Sequence, residues 1–243
     1  MTVALAALAV FLGSGLQSAT GFGYAMFAAP ILFVLLGPRE AVTLGVLLGL
    51  LTNGLLLATE RRRPVVLKRD AVVLVAWSVP GLVLGAIALR EVPERPLSAL
   101  VAVAVLAGLG MRLRGHRAVP APPRLRAWHA PAAGASSGAL ATSTSLGGPP
   151  LVFYLLARAA EPAAMRDTLA AVFIVEAAIG LPVLLLTETF TVPAAAWIML
   201  VAGVAGQVLG RRAFAWLRGE RYERAVLVVL ALSALGALAG SVL

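Results

Sequence analysis

Apolar stretches, most of them long enough to span a lipid bilayer, recur from one end of this chain to the other, separated by short breaks that hold its basic residues. They run from Val3 to Leu36, Ala41 to Thr59, Ala71 to Leu89, Leu97 to Met111, Ala130 to Ala157, Thr168 to Leu186, Val192 to Gly210 and Ala225 to Leu243. Hydrophobic residues fill 60% of the 243 positions and charged residues 13%, about half the charged share of a soluble domain. No single core hides that much apolar surface, so lipid must solvate it. The expected fold class is an all-α polytopic membrane protein, multi-pass in the cell inner (plasma) membrane.

Segment length separates ordinary spans from unusual ones. A crossing takes about 20 residues, and five segments fit. The fourth, at 15 residues, is short and needs flanking arginines that snorkel to the interface. The first and fifth, at 34 and 28 residues, are too long for one straight crossing. Each has a centre rich in Gly, Ser and Thr, and a proline: Gly13 to Gly23 before Pro30, and Gly134 to Gly148 before Pro149 and Pro150. Both are expected to be broken helices.

Lys and Arg in short loops stay in the cytoplasm, which tests whether the fifth segment crosses. If all eight segments crossed, the 20 basic residues would divide ten against ten. If the fifth enters and returns on one face, all except Arg39, Arg90 and Arg95 lie on one side. That asymmetry selects the re-entrant form. Each half then reads as a broken or re-entrant helical hairpin plus three transmembrane helices, with Thr-Leu near the start of the span that follows, at Thr43-Leu44 and Thr168-Leu169. Three spans is an odd number, so the halves face opposite ways: two inverted repeats, as in secondary transporters whose site lies where broken helices meet. The expected division is a first repeat over 1–111, a basic, Pro-rich cytoplasmic linker over 112–128 and a second repeat over 129–243, with the C-terminus extracytoplasmic.

Several functions are excluded by the residues present. The chain has no cysteine, so thiolate catalysis and Cys-ligated metals are absent. Its +9 charge sits at membrane boundaries, where topology and anionic lipid account for it, and no nucleic-acid partner is expected. Met1-Thr-Val-Ala-Leu lacks the basic start of a cleaved signal peptide. Gly134-Ala-Ser-Ser-Gly138 formally matches a nucleophile elbow, but that motif needs a strand before a helix and a later His base, and no histidine follows His129. His116 and His129 have no partner at metal spacing. Neither an enzyme nor a cofactor is expected.

The residue pattern resembles the sulfite exporter TauE/SafE family, also called the toluenesulfonate uptake permease family, over essentially the whole chain. In the first half the likeness lies in Ala28-Ala-Pro-Ile-Leu32, Ala41-Val-Thr-Leu-Gly-Val46, Thr52-Asn-Gly54 and Glu60-Arg-Arg-Arg63. In the second it lies in Ser137-Gly138, Leu146-Gly-Gly-Pro-Pro-Leu-Val-Phe-Tyr-Leu-Leu156 and Arg166-Asp-Thr-Leu-Ala-Ala171. The resemblance implies a secondary carrier of small anions such as sulfite or organosulfonates. Alternatives are an anion channel built on re-entrant hairpins and a carrier of a non-sulfur carboxylate. The first hairpin departs from the family in a sparser glycine cluster at Gly21-Phe-Gly23.

An anion site also follows from the broken helices themselves. A helix interrupted inside the membrane leaves N–H groups that no water reaches, and its N-terminus concentrates positive charge on them; an anion satisfies both. Neutral donors suit a carrier, because a buried Arg would hold the ligand by a charge-assisted pair and release it slowly. Candidate ligand residues are Gln17, Ser18, Thr20, Gly21 and Gly23 in the first hairpin and Ser137, Thr142, Ser143, Thr144, Ser145, Gly147 and Gly148 in the second. Glu176, near the midplane of its span, is a candidate for proton coupling, against the alternative of a structural hydrogen bond; the coupling partner is a proton or sodium. Asn53 lies at similar depth in the repeat-related span and is a further candidate. Gln207 is expected to bond between helices. Gly45/Gly49, Gly81/Gly85, Gly206/Gly210 and Gly236/Gly240 have the spacing of close helix packing.

Overall fold

The computed structural model describes residues 1–20, 23–60, 62–101, 103, 104 and 125–216. Gly21, most of the linker, His116, Gly236, Gly240 and the segment from Ala225 to Leu243 lie outside these. The described residues form α1 (Thr2–Thr20), α2 (Gly23–Leu36), α3 (Pro38–Ala58), α4 (Lys68–Glu91), α5 (His129–Thr144), α6 (Gly148–Ala157), α7 (Pro162–Leu186) and α8 (Ala196–Trp216), and a further helical stretch begins at residue 94. No strand occurs among them.

Three of these helices, α3, α4 and α7, are long and apolar enough to cross a membrane. At about 1.5 Å per residue, their 21, 24 and 25 residues cover the roughly 30 Å hydrocarbon layer. The 16 residues of α5 and the 10 of α6 do not. Val72, Trp77, Leu84 and Ile87 on α4, Leu186 on α7 and Trp197 and Val201 on α8 are exposed. Apolar surface of that extent is a liability in water and is solvated in a bilayer.

Glycine sets how closely the helices approach. A Cβ on Gly134 or Gly138 of α5 would collide with the carbonyls of Leu74 and Ser78, and one on Gly81 or Gly85 of α4 would collide with those of Ala135 and Ala139. The two helices therefore lie backbone to backbone, running in the same direction. Helices α1 and α8 repeat this arrangement, with Gly206 against the Phe11 carbonyl and Gly210 against Gly15. Close packing thus accounts for Gly81/Gly85 and Gly206/Gly210. It does not account for Gly49: Gly45 meets the Ser145 side chain, but nothing lies within 4 Å of a Cβ at Gly49. That glycine faces open space.

The spans α3 and α7 run antiparallel and are tied by the same contact at each end. Thr43, near the start of α3, accepts a hydrogen bond from the Thr191 N–H after α7 (3.1 Å), and Thr168, near the start of α7, accepts one from the Leu67 N–H after α3 (3.0 Å). At the second end the neighbouring Asp167, 1% exposed, accepts a bidentate pair from Arg62 (2.7 and 3.0 Å) and the Val65 N–H (2.7 Å). This hydrogen bonding raises the pKa of the Arg62 guanidinium. Arg166 pairs with Glu60 alongside (3.0 Å). Both ends of the α5–α6 hairpin reach this same end of the molecule: Ala133 of α5 and Leu155 of α6 share an apolar cluster with Leu74 of α4, and Arg158 pairs with Asp70 (3.2 Å). At the opposite end Arg39 and Arg90 share a cleft of about 350 Å³ with Glu40 and Glu94.

Gly138→Leu is expected to lose the α4–α5 contact, at ~3 kcal/mol or more as overpacking against backbone, while Gly54→Leu, with nothing within 4 Å, leaves the detergent-solubilised protein's melting temperature near that of the parent. Thermal unfolding with size-exclusion profiles measures both.

Candidate functional site

The break between α5 and α6 is built from local chain chemistry. Ser145 takes a left-handed conformation (φ 61°), and its N–H and that of Leu146 close the last carbonyls of α5, at Ala141 and Leu140. A new helix then opens at Gly148, with Gly147 as its cap and prolines in its first turn. The first four N–H groups of a helix lack intrahelical acceptors. Pro149 and Pro150 carry no N–H, so Gly147 and Gly148 hold the remaining orphan donors.

These two glycines and Ser145 line a cavity of about 80 Å³, several times what one water needs. The first turn of α2 enters the same cavity through Tyr24 and Ala25, so two helix beginnings share it. Gly45, Val46, Gly49 and Asn53 of α3 form one side, and Phe173, Glu176 and Ala177 of α7 another. Gln17 of α1 completes the polar lining. Among the described residues that line it there is no Lys, Arg or His.

Two buried polar pairs join hairpin to span. Gln17 Nε2 donates to Asn53 Oδ1 (2.9 Å), and Asn53 Nδ2 donates to the Gly49 carbonyl (2.8 Å). In the other half Ser137 Oγ donates to Glu176 Oε1 (2.9 Å), with Oε2 at 3.2 Å. Asn53 and Glu176, expected at matching depth, both line the cavity. Tyr24 is 4% exposed and its hydroxyl has no hydrogen-bond partner among the described residues. An orphan of this kind costs about 1–3 kcal/mol.

The remaining candidates lie elsewhere. Thr142 donates to the Leu82 carbonyl (2.7 Å), Ser143 to that of Ala139 (2.6 Å), Thr144 to that of Leu140 (2.8 Å) and Ser18 to that of Gly15 (2.7 Å). None of the four lines the cavity. Ser137 adjoins it through Glu176. Thr20 ends α1 and Gly23 opens α2, flanking Gly21. Gln207 bonds between helices as expected, to the Thr52 carbonyl (3.4 Å). The Gly134–Gly138 stretch is continuous helix, not the strand and turn of a nucleophile elbow. Sequence reasoning missed Tyr24, Gly45, Gly49 and Phe173. Tyr24 was signalled by its place directly after Gly23, at a helix beginning.

Gly49→Val is expected to fill the cavity without a clash. Ligand affinity should fall at least tenfold while the melting temperature of the unliganded protein stays within a few degrees, both read by thermal shift over a series of anion concentrations.

A helix broken at Ser145–Gly147, a cavity bordered by the two helix beginnings and an apolar exterior describe a membrane protein with an enclosed site where its helices are interrupted. Neither a search of curated proteins nor a search of solved structures finds a match. The family model described as Sulfite exporter TauE/SafE matches residues 5–237, nearly the whole chain and both hairpins, and the protein belongs to this family of membrane transporters of sulfur anions.

Proposed function

We propose that this protein is a secondary transporter that moves a small anion, sulfite or an organosulfonate, across the cytoplasmic membrane by alternating access. The observation that carries this reading is the cavity lined by the beginnings of α2 and α6 with no basic side chain among the described residues that line it. Helix N-termini supply attraction without a fixed full charge, so the anion is held and still released.

The architecture we propose is a pair of inverted repeats. Its support is a set of contacts made twice with the halves exchanged. Thr43 recurs as Thr168, Gly81 as Gly206 and Gly85 as Gly210, all at one constant spacing. Their partners recur one residue out of step, Ala135 and Ala139 of α5 matching Phe11 and Gly15 of α1. The antiparallel course of α3 and α7 is what inversion requires. The anion then sits near the pseudo-twofold axis, and rocking of one half against the other exposes it to either side.

In this cycle the Arg62–Asp167 and Arg166–Glu60 pairs lie at the cytoplasmic end, which accords with the side richer in basic residues. Opening toward the cytoplasm separates them. Glu176 is the one carboxylate among the described residues that line the cavity and is the candidate carrier of a coupled proton, with Ser137 orienting it.

The test is transport in proteoliposomes. Radiolabelled sulfite should enter saturably and show counterflow driven by unlabelled sulfite on the opposite side. Glu176→Gln should abolish accumulation driven by a pH gradient and keep sulfite-for-sulfite exchange within about threefold. Flux that does not saturate and shows no counterflow would point to a pore.

A further inference from the structure

The first hairpin meets the cavity differently from the second. In the register that pairs Phe11 with Ala135 and Gly15 with Ala139, Gly23 matches Gly147 and Tyr24 matches Gly148. The second hairpin therefore presents a bare backbone where the first presents a phenol. Tyr24 packs by its ring edge and backbone beside the position of a Cβ at Gly13, which holds the residue at the break. Tyr24 is one of the residues that line the cavity, and its hydroxyl is enclosed with no acceptor or donor among the described residues.

A buried tyrosine hydroxyl normally has a partner. The other groups nearby have theirs: Gln17 is bonded to Asn53 and Glu176 to Ser137. An orphaned donor on a residue that lines the same cavity as Gly147 and Gly148, the start of α6, points to an acceptor between them. A three-oxygen anion offers acceptors in several directions, so one oxygen can face the α6 beginning while another faces the phenol.

We propose that Tyr24 is a ligand-binding residue whose hydroxyl donates a hydrogen bond to an oxyanion held against Gly147 and Gly148. This rests on the cavity being the anion site. It assigns the two hairpins unequal roles: α6 supplies backbone donors and room, and α2 supplies a side-chain donor. The site is thereby asymmetric within a symmetric frame, and an acceptor-poor anion loses the Tyr24 contact.

The experiment compares parent, Tyr24→Phe and Gly148→Leu in detergent, measuring ligand-induced thermal shift over concentration series of sulfite and methanesulfonate, with chloride as the anion that lacks separate oxygen acceptors. Tyr24→Phe removes only the hydroxyl. Because that group has no partner among the described residues, the unliganded melting temperature should be unchanged or higher. Sulfite and methanesulfonate should each bind at least fivefold more weakly, and any chloride response should be unaltered. Gly148→Leu should lose the oxyanion response. Unchanged oxyanion affinity in Tyr24→Phe, with Gly148→Leu deficient, overturns the role of Tyr24 and leaves the site standing. A fall in the unliganded melting temperature of Tyr24→Phe also overturns it, since the hydroxyl would then serve the fold. A parent that neither oxyanion stabilises, or a Gly148→Leu variant that binds like the parent, overturns the underlying site instead.

Discussion

Backbone contact between helices is the constraint on which the remaining structure depends. Helices that meet through side chains stand 8–10 Å apart; α4 and α5, and α1 and α8, come closer because glycine lines both partners or faces a carbonyl directly. Lipid tails are as apolar as leucine, so the hydrophobic effect gives no net drive to helix association in a bilayer, and van der Waals packing and hydrogen bonds must supply it. The first helix of each hairpin is thereby pressed along a neighbouring helix, α1 along α8 and α5 along α4. In α5, at 16 residues too short to cross, that contact holds the helix and places its broken end inside the molecule.

Polar groups in such an interior are tolerated when paired, and the molecule pairs them with economy. Thr142, Ser143 and Thr144 return their hydroxyls to carbonyls within hydrogen-bond reach. Asp167, almost fully enclosed, receives three donors from the chain after α3, which matters because a buried carboxylate that lost its partners would cost several kcal/mol. Against this background the unpaired groups stand out. Ser14 Oγ, Arg166 Nε, Gln207 Oε1 and the Tyr24 hydroxyl lack partners among the described residues; of these residues Tyr24 lines the cavity that the N-terminus of α6 also borders, where unsatisfied polarity is what a ligand relieves.

The sequence foretold these features unevenly. Gly147-Gly148-Pro149-Pro150 located the second break, because two consecutive prolines cannot continue a helix and can open one. Depth within a span located Asn53 and Glu176, since an apolar run of known length has a countable centre. The hydroxyl run was less informative: whether a Ser or Thr faces a cavity or bonds to the carbonyl one turn back depends on its rotamer and its place around the helix, and composition carries neither. Gly45 and Gly49 lie one turn apart on one face, yet a neighbour's side chain covers the first and not the second. That distinction belongs to the course of the neighbouring chain. Tyr24 was overlooked because an aromatic residue in an apolar run reads as core, and the absence of a partner for its hydroxyl exists only in three dimensions.

The central claim is that one cavity between the two hairpins holds the transported anion. The chain has no cysteine, so a single Cys in place of Ala177, a residue that lines the cavity from α7, reports on it without background. Modification of Ala177→Cys by a small, charged, water-soluble thiosulfonate reagent, followed with and without saturating sulfite, is the most direct measurement. The account predicts that the thiol reacts in the absence of ligand and that sulfite slows the reaction at least tenfold, half-maximally at the concentration that half-saturates transport. A reaction rate indifferent to sulfite, in a variant that still transports it, would place the anion elsewhere and contradict the account.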